Sequence, residues 1–381
     1  MNYIYSLLIT LIFLLPASSF SYIIMLGILF LIYLINKPKR KYHDIGILLI
    51  LGMAFSFIIN SFDTFEIESV LRAIILCFLF ILFPYFNDNI RISIYTPIII
   101  MLVILLSQMA DIYAITPIQQ IINSYYPDNE IVYGQSGTHF SLSMAGRYGG
   151  LYRNPNNCGR ALLILFSMYT LLSKRFVYSS LKRRNIINGV AITIAFIGIL
   201  STGSRTSFIA ISILVFCYLY KDIMKLSKNK RVITFTISGF IIIYLFSKIL
   251  SAESRLTQTS FVLTDRENML GALFDMIFSN PLRLLFGFFY HEKLSFYGLG
   301  FEGGLDSDIG NLIYYYGIVN IVLLLRLIFL VARNDFKLFI YVIPVFLTMA
   351  SNGLFTSVAA SFQIMILLGI FNAISHTKHI E

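Results

Sequence analysis

Apolar runs long enough to form membrane-crossing helices recur from one end of this chain to the other, and they limit what it can fold into. The hydrocarbon core of a bilayer is about 30 Å thick and takes about 20 apolar residues to cross as a helix. Stretches such as YIIMLGILFLIYLI, TPIIIMLVILLSQMA and NLIYYYGIVNIVLLLRLIFLVA approach or reach that length with few or no charges. Over 381 residues the chain is 57% hydrophobic and only 13% charged, whereas soluble domains carry about 25% charged residues. The runs are continuously apolar rather than alternating, which excludes the strands of an outer-membrane barrel. The expectation is an all-α, polytopic integral membrane protein, with residues 1–381 forming a single transmembrane domain.

Windows between polar breaks predict about twelve helices, near 3–15, 20–36, 45–60, 69–86, 93–112, 159–174, 186–200, 206–220, 232–249, 307–331, 337–350 and 356–374. The N-terminal MNYIYSLLITLIFLLPASSFS lacks the basic start of a secretory signal and reads as the first of these spans. No repeat period, heptad run or low-complexity tract interrupts the series, and the halves do not match as an inverted-repeat transporter's would.

The net charge of +10 is a statement about sidedness rather than about nucleic acid. With twelve spans, alternate loops separate by sign. The KPKRK run at 37–41, Arg91, the basic residues of 174–184 and 221–231, Arg326, Arg333, Lys337 and Lys378 share one side, and together they are nineteen of the 29 Lys and Arg. That side holds only Asp44, Asp88, Asp222, Asp335 and Glu381 among the acids. Basic loops stay in the cytoplasm, so both termini are expected there. Cys77, Cys158 and Cys217 fall in or beside apolar runs, a pattern that predicts neither a disulfide nor a metal cluster.

Two long loops, residues 113–158 and 250–306, then fall on the far side, and long loops in compact proteins bind, gate or catalyse. They and the adjoining helix ends hold seven arginines: Arg147, Arg153, Arg160, Arg205, Arg255, Arg266 and Arg283. The positive-inside bias works against each of them. A guanidinium grips phosphate oxygens through two parallel hydrogen bonds, which suits arginine to a diphosphate at headgroup level; solvated loop charges or ion pairs are the plainer explanation.

Arg147, Arg153 and Arg160 surround Gly146, Gly149, Gly150 and the NPNN turn that precedes a helix. Glycines let backbone amides approach a ligand and a helix start attracts anions, while an Asn cap accounts for the turn without any ligand. Thr202-Gly203-Ser204-Arg205 joins the seventh span to the eighth, where an arginine needs either a salt bridge or a wet cavity. Residues 264–286 carry Met269, Leu270, Leu273, Phe274 and Ile277 at helical spacing, predicting an amphipathic surface helix that starts near Arg266. Asp306 and Asp308 stand where the tenth span begins; either can cap the helix, and a carboxylate among cations and sugar hydroxyls can serve as a general base. His139 and His291 are the two histidines of the far side, each a base or a plain loop residue.

In this order, GRYGGLYRNPNNCGRA, STGSR, DREN with NPLRLLFG, and DSDIGNLIYYYG among about a dozen helices, the chain resembles the O-antigen polymerase and ligase superfamily, the Wzy-like integral membrane glycosyltransferases. The resemblance implies a donor glycan carried on undecaprenyl diphosphate, an acceptor of the same kind and action on the periplasmic face of the bacterial inner membrane. It implies no metal, nucleotide sugar or other cofactor, and a chain-length regulator as a further partner. In the polymerase form a hydroxyl of one repeat attacks the anomeric carbon of another chain, and undecaprenyl diphosphate leaves. By the same resemblance Arg147, Arg153, Arg160, Arg205 and Arg266 bind the diphosphate, and Asp306 or Asp308 is the catalytic carboxylate. Where ligases of this kind carry a His-Asn pair after the large loop this chain has Asp-Ser-Asp, which favours the polymerase. The absence of tryptophan removes the aromatic residue that often follows the loop arginine. An O-antigen ligase and a non-enzymatic flippase or exporter of lipid-linked glycans are the competing readings; the flippase predicts charges along a central cavity rather than in two loops.

Overall fold

A computed structural model describes residues 2–15, 19–36, 43–60, 92–117, 147–152, 154–176, 179–234, 281–287, 308–350 and 358–377, with a few single positions between them. The described residues are helical, with no strand among them. In chain order the helices are α1 (Asn2–Leu14), α2 (Ser19–Asn36), α3 (His43–Asn60), α4 (Tyr95–Ile112), α5 (Pro155–Arg175), α6 (Leu181–Thr202), α7 (Arg205–Met224), α8 (Pro281–Phe286), α9 (Asp308–Ala332), α10 (Phe336–Phe339), α11 (Ile343–Phe346) and α12 (Val358–Thr377). Among the described residues α4, α6 and α7 are long and apolar enough to cross a membrane.

Most predicted windows hold one helix each. The window near 69–86 and most of 232–249 lie outside the described residues, as does all of the predicted amphipathic helix except α8. The window at 337–350 differs from expectation: α10, α11 and a 3-10 turn over Leu347–Ala350 replace a single helix. Pro344 lies in the first turn of α11, where it brings no N–H and its ring blocks continuation from the preceding turn. The tenth window is helical, but it is broken at Gly317, whose φ of 68° and ψ of 172° belong to neither helix nor strand.

The chain divides into two compact units. One comprises residues 93–259 with 340–348, the other residues 1–92, 260–339 and 349–381.

In the first unit α5 is the central helix, packed against α4, α6, α7 and α11. Every residue from Cys158 to Ser173 is buried, as expected of a helix enclosed on all sides. Small residues let its neighbours approach closely. A Cβ at Gly198 of α6 would lie 2.7 Å from Leu162 Cδ1, and one at Gly159 of α5 would lie 2.7 Å from Ser207 Oγ of α7. Helices that associate without a hydrophobic driving force rely on such close backbone approach. The outer faces of α4, α6 and α7 carry large exposed apolar side chains, among them Ile99, Leu106, Ile186, Val190, Ile213 and Phe216. At the far end of α5, Lys174 Nζ lies 4.8 Å from the Tyr218 ring centroid and 5.2 Å from that of Tyr341. Tyr218 also donates its hydroxyl to Asn188 Oδ1 at 2.9 Å, and Tyr169 donates to the same oxygen.

In the second unit α3, α8 and α9 pack together, and Phe55 of α3 stacks on Phe286 of α8 with centroids 5.7 Å apart. The break in α9 receives the end of α8: a Cβ at Gly317 would lie 2.4 Å from Leu285 O and 2.5 Å from Gly287 N. One turn beyond, Asn320 Nδ2 donates to the Tyr316 carbonyl at 2.8 Å, next to the break. α12 is buried along most of its length and packs against α1, α9 and α10, with Phe339 edge-on to Phe371 at 5.2 Å and Asn334 donating to Asn372 at 2.8 Å.

Candidate anion site at two helix starts

The GRYGG segment is strapped over one end of the first unit by side chains that α4 presents. Ser107, Gln108 and Asp111 interrupt an otherwise apolar helix one turn from its end. Gly150 donates its N–H to Asp111 Oδ2 at 3.0 Å, and Leu151 donates to Ser107 Oγ at 3.0 Å. Gly150 adopts a φ of +56°, and a Cβ there would lie 2.3 Å from Ser107 Oγ, so the strap can follow this path only with glycine. Buried Gln108 donates through Nε2 to the Tyr148 carbonyl at 3.1 Å and to the Gly198 carbonyl of α6 at 3.0 Å, which fixes the orientation of its amide. Tyr148 in turn donates its N–H to the Ser201 carbonyl at 2.9 Å.

This strap brings two helix starts together. α5 begins at Pro155, a residue suited to the first helical position, and Asn154 caps it by accepting from the N–H groups of Asn156 and Asn157 at 2.9 and 3.4 Å. α6 ends at Thr202 with Gly203 in the left-handed region at φ 61°, and α7 starts two residues later at Arg205. Within this turn Ser204 donates its N–H to Thr202 Oγ1 at 3.1 Å and its hydroxyl to Ser207 Oγ at 3.1 Å. Neither α5 nor α7 has an acidic residue in its first turn. No residue within either first turn therefore offsets the positive end of its own helix dipole; the carboxylate at this junction is Asp111 of α4.

Three of the predicted arginines belong to this junction. Arg147 donates Nε to the Thr202 carbonyl at 3.2 Å and Nη2 to Asn156 Oδ1 at 2.7 Å, joining the end of α6 to the start of α5. Arg205 occupies the first position of α7 and is partly buried. A cation there opposes the helix dipole at a cost of about 0.3–1 kcal/mol. Arg160 lies in the second turn of α5, beside Gly159, and is 2% exposed. A guanidinium so deeply enclosed requires compensating hydrogen bonds or negative charge. The junction therefore combines positive side chains, two helix starts and buried hydroxyls, a donor-rich arrangement suited to an anion with several oxygens.

The other predicted site residues do not join this description. Arg153, Arg266, Asp306, His139 and His291 lie outside the described residues. Asp308 is the first residue of α9, in the second unit, and its side chain lies outside the described set. Among the described residues no three His, Cys, Asp or Glu side chains gather as metal ligands. The sequence reading missed Ser107, Gln108, Asp111 and Asn156. The first three carried a usable signal, since polar residues at i, i+1 and i+4 within an apolar helix share one face.

No protein-family model matches the chain, and no curated protein sequence matches it.

Proposed function

We propose that this chain is a multi-pass protein of the bacterial inner membrane that polymerises glycan repeats carried on undecaprenyl diphosphate, an O-antigen polymerase of the Wzy-like kind. Both termini are cytoplasmic in this reading, about twelve helices cross the membrane and the two long loops are periplasmic. The observation that carries it is the arginine-bearing junction of α5 and α7, where two helix starts without acidic residues in their first turns meet buried Arg160 and half-buried Arg205. In the reaction, a hydroxyl of one lipid-linked repeat attacks the anomeric carbon of the growing chain. The bond from that carbon to the diphosphate oxygen breaks as the new glycosidic bond forms. The departing diphosphate gains negative charge, and preorganised cations and N–H groups lower the barrier by receiving it. Arg205 and Arg160 take this role, with Arg153 and Arg266 as further ligands suggested by the resemblance. The hydroxyl proton passes to a carboxylate, Asp306 or Asp308, and no metal or cofactor is needed.

A flippase or exporter of lipid-linked glycans is the second reading. The break at Gly317 favours it, because interrupted helices form the substrate sites of many transporters. An O-antigen ligase has no comparable observation in its favour.

One experiment separates the polymerase from the other two. Deleting the gene for a polymerase leaves lipopolysaccharide bearing a single repeat, whereas losing a ligase or a flippase leaves none. Restoring the gene with Arg205→Ala is expected to give the single-repeat pattern at normal protein level in the membrane. A full ladder from that variant refutes the diphosphate role of Arg205.

A further inference from the structure

Arg147 contributes charge to the junction, but its hydrogen bonds are directed into the protein. Its Nε and Nη2 form one of the two edges with which a guanidinium can grip an oxyanion, and here they reach Thr202 O at 3.2 Å and Asn156 Oδ1 at 2.7 Å. Its aliphatic stem lies against the turn. A Cβ at Gly203 would sit 3.0 Å from Arg147 Cγ and 3.5 Å from Cδ, so the arginine occupies the space that the missing side chain leaves. The neighbouring Tyr148 N–H bonds Ser201 O at 2.9 Å and holds the same turn from the adjacent residue. One side chain therefore touches the end of α6, the glycine of the turn and the first turn of α5, and the residue that follows this turn is Arg205.

We propose that Arg147 is a positioning residue: it braces the Gly203 turn against the start of α5 and so fixes Arg205 for a diphosphate that Arg205, not Arg147, contacts. The inference rests on the diphosphate reading above and refines it. A lysine cannot replace the brace, because one ammonium on a flexible stem does not present two N–H groups in a fixed plane to two separate acceptors.

The test is equilibrium binding of undecaprenyl diphosphate to the full-length protein in nanodiscs, with undecaprenyl monophosphate as the control lipid. Arg205→Ala and Arg147→Ala are each expected to weaken binding by about tenfold, the scale of one charge-assisted hydrogen bond. Residues acting through one contact are not additive, so the double variant should bind no more weakly than Arg205→Ala alone. Arg147→Lys should bind as poorly as Arg147→Ala. Asn156→Ala, which removes one acceptor and leaves every arginine in place, should also weaken binding.

Additive losses in the double variant, wild-type affinity in Arg147→Lys or wild-type affinity in Asn156→Ala each overturn the positioning role. The Asn156→Ala arm keeps the test valid if Arg147→Ala does not fold. If the wild-type protein binds undecaprenyl diphosphate no better than the monophosphate, the diphosphate reading itself fails. The brace is then judged by thermal unfolding of Arg147→Ala, Asn156→Ala and their combination: a combined loss smaller than the sum upholds it, and a simple sum overturns it.

Discussion

Replacing Gly317 by alanine tests whether the break in α9 is built into the fold. With φ at 68° and ψ at 172°, the residue occupies a region open in practice to glycine alone, and other residues held in such regions cost about 1–3 kcal/mol. The added methyl also has nowhere to go. It would lie 2.4 Å from Leu285 O and 2.5 Å from both Leu285 C and Gly287 N. These are backbone atoms, which cannot turn aside as a flexible side chain can, and forced overpacking costs about 1–3 kcal/mol. The two contributions together predict a loss of about 2–6 kcal/mol, relieved in part only if the end of α8 lifts from α9. Gly189→Ala on α6 is the control: no atom lies within 4 Å of its Cβ position, and alanine in a helix interior gains about 0.5–1 kcal/mol over glycine. The measurements are thermal unfolding of the purified full-length protein in detergent and hydrogen exchange over residues 281–287. Gly317→Ala is expected to unfold at lower temperature and to exchange faster over 281–287, whereas Gly189→Ala is expected to do neither. A Gly317→Ala protein with wild-type melting and wild-type exchange in that segment would show that the break and its contact with α8 are not requirements of the fold.

Two further substitutions probe close packing and the strap. A Cβ at Gly52 would fall 2.0 Å from Oδ1 of buried Asn320, so Gly52→Ala should destabilise by about 1–3 kcal/mol. Adding Asn320→Ala should recover part of that loss, which a double-mutant cycle of melting temperatures will detect as non-additivity. Gln108→Leu keeps the bulk of the side chain but removes the donor to the Tyr148 and Gly198 carbonyls. The Gly198 carbonyl keeps its helical partner within α6, whereas the Tyr148 carbonyl loses its Gln108 donor at a cost of about 1–3 kcal/mol, and a lower melting temperature with faster exchange at residues 147–151 is the expected result.

The helices were readable because burial and bilayer length leave the same mark on a sequence, a long apolar run between polar breaks. The run TPIIIMLVILLSQMADI gave α4 to within a few residues, and NPNN with its proline marked the start of α5. α5 begins earlier than its window because Asn156, Asn157 and Cys158 are ordinary first-turn residues once Asn154 caps them, although they do not look apolar. The breaks were harder to read. Gly317 stands in YYYGIVN, where a glycine is as compatible with close helix packing as with interruption; only Leu285 and Gly287, thirty or more residues earlier in the chain, decide between them. In the candidate site, arginine type and glycine spacing singled out RYGG and STGSR one by one; that the two segments meet is seen only in the structure. The assignment of hydrogen bonds within it did not follow from spacing, since Arg147 reaches Thr202, distant in sequence, and Asn156, close in sequence, with the same guanidinium.

The placement of charge along α5 gives the junction its chemical character. At the end near α11, Lys174 lies over the rings of Tyr218 and Tyr341, and an aromatic face attracts a cation without offering it an exchangeable counter-ion. At the other end Arg160 and Arg205 lie near helix starts, where dipoles equivalent to about half a positive charge each add to the side-chain charge. Asp111, the carboxylate that α4 presents to the strap, accepts from the Gly150 N–H and so uses part of its capacity in holding the loop. A resident carboxylate in the first turn of α5 or α7 would have stabilised the fold by up to about 1 kcal/mol and filled the same place. Without one, those first turns lack that stabilisation from within the helix.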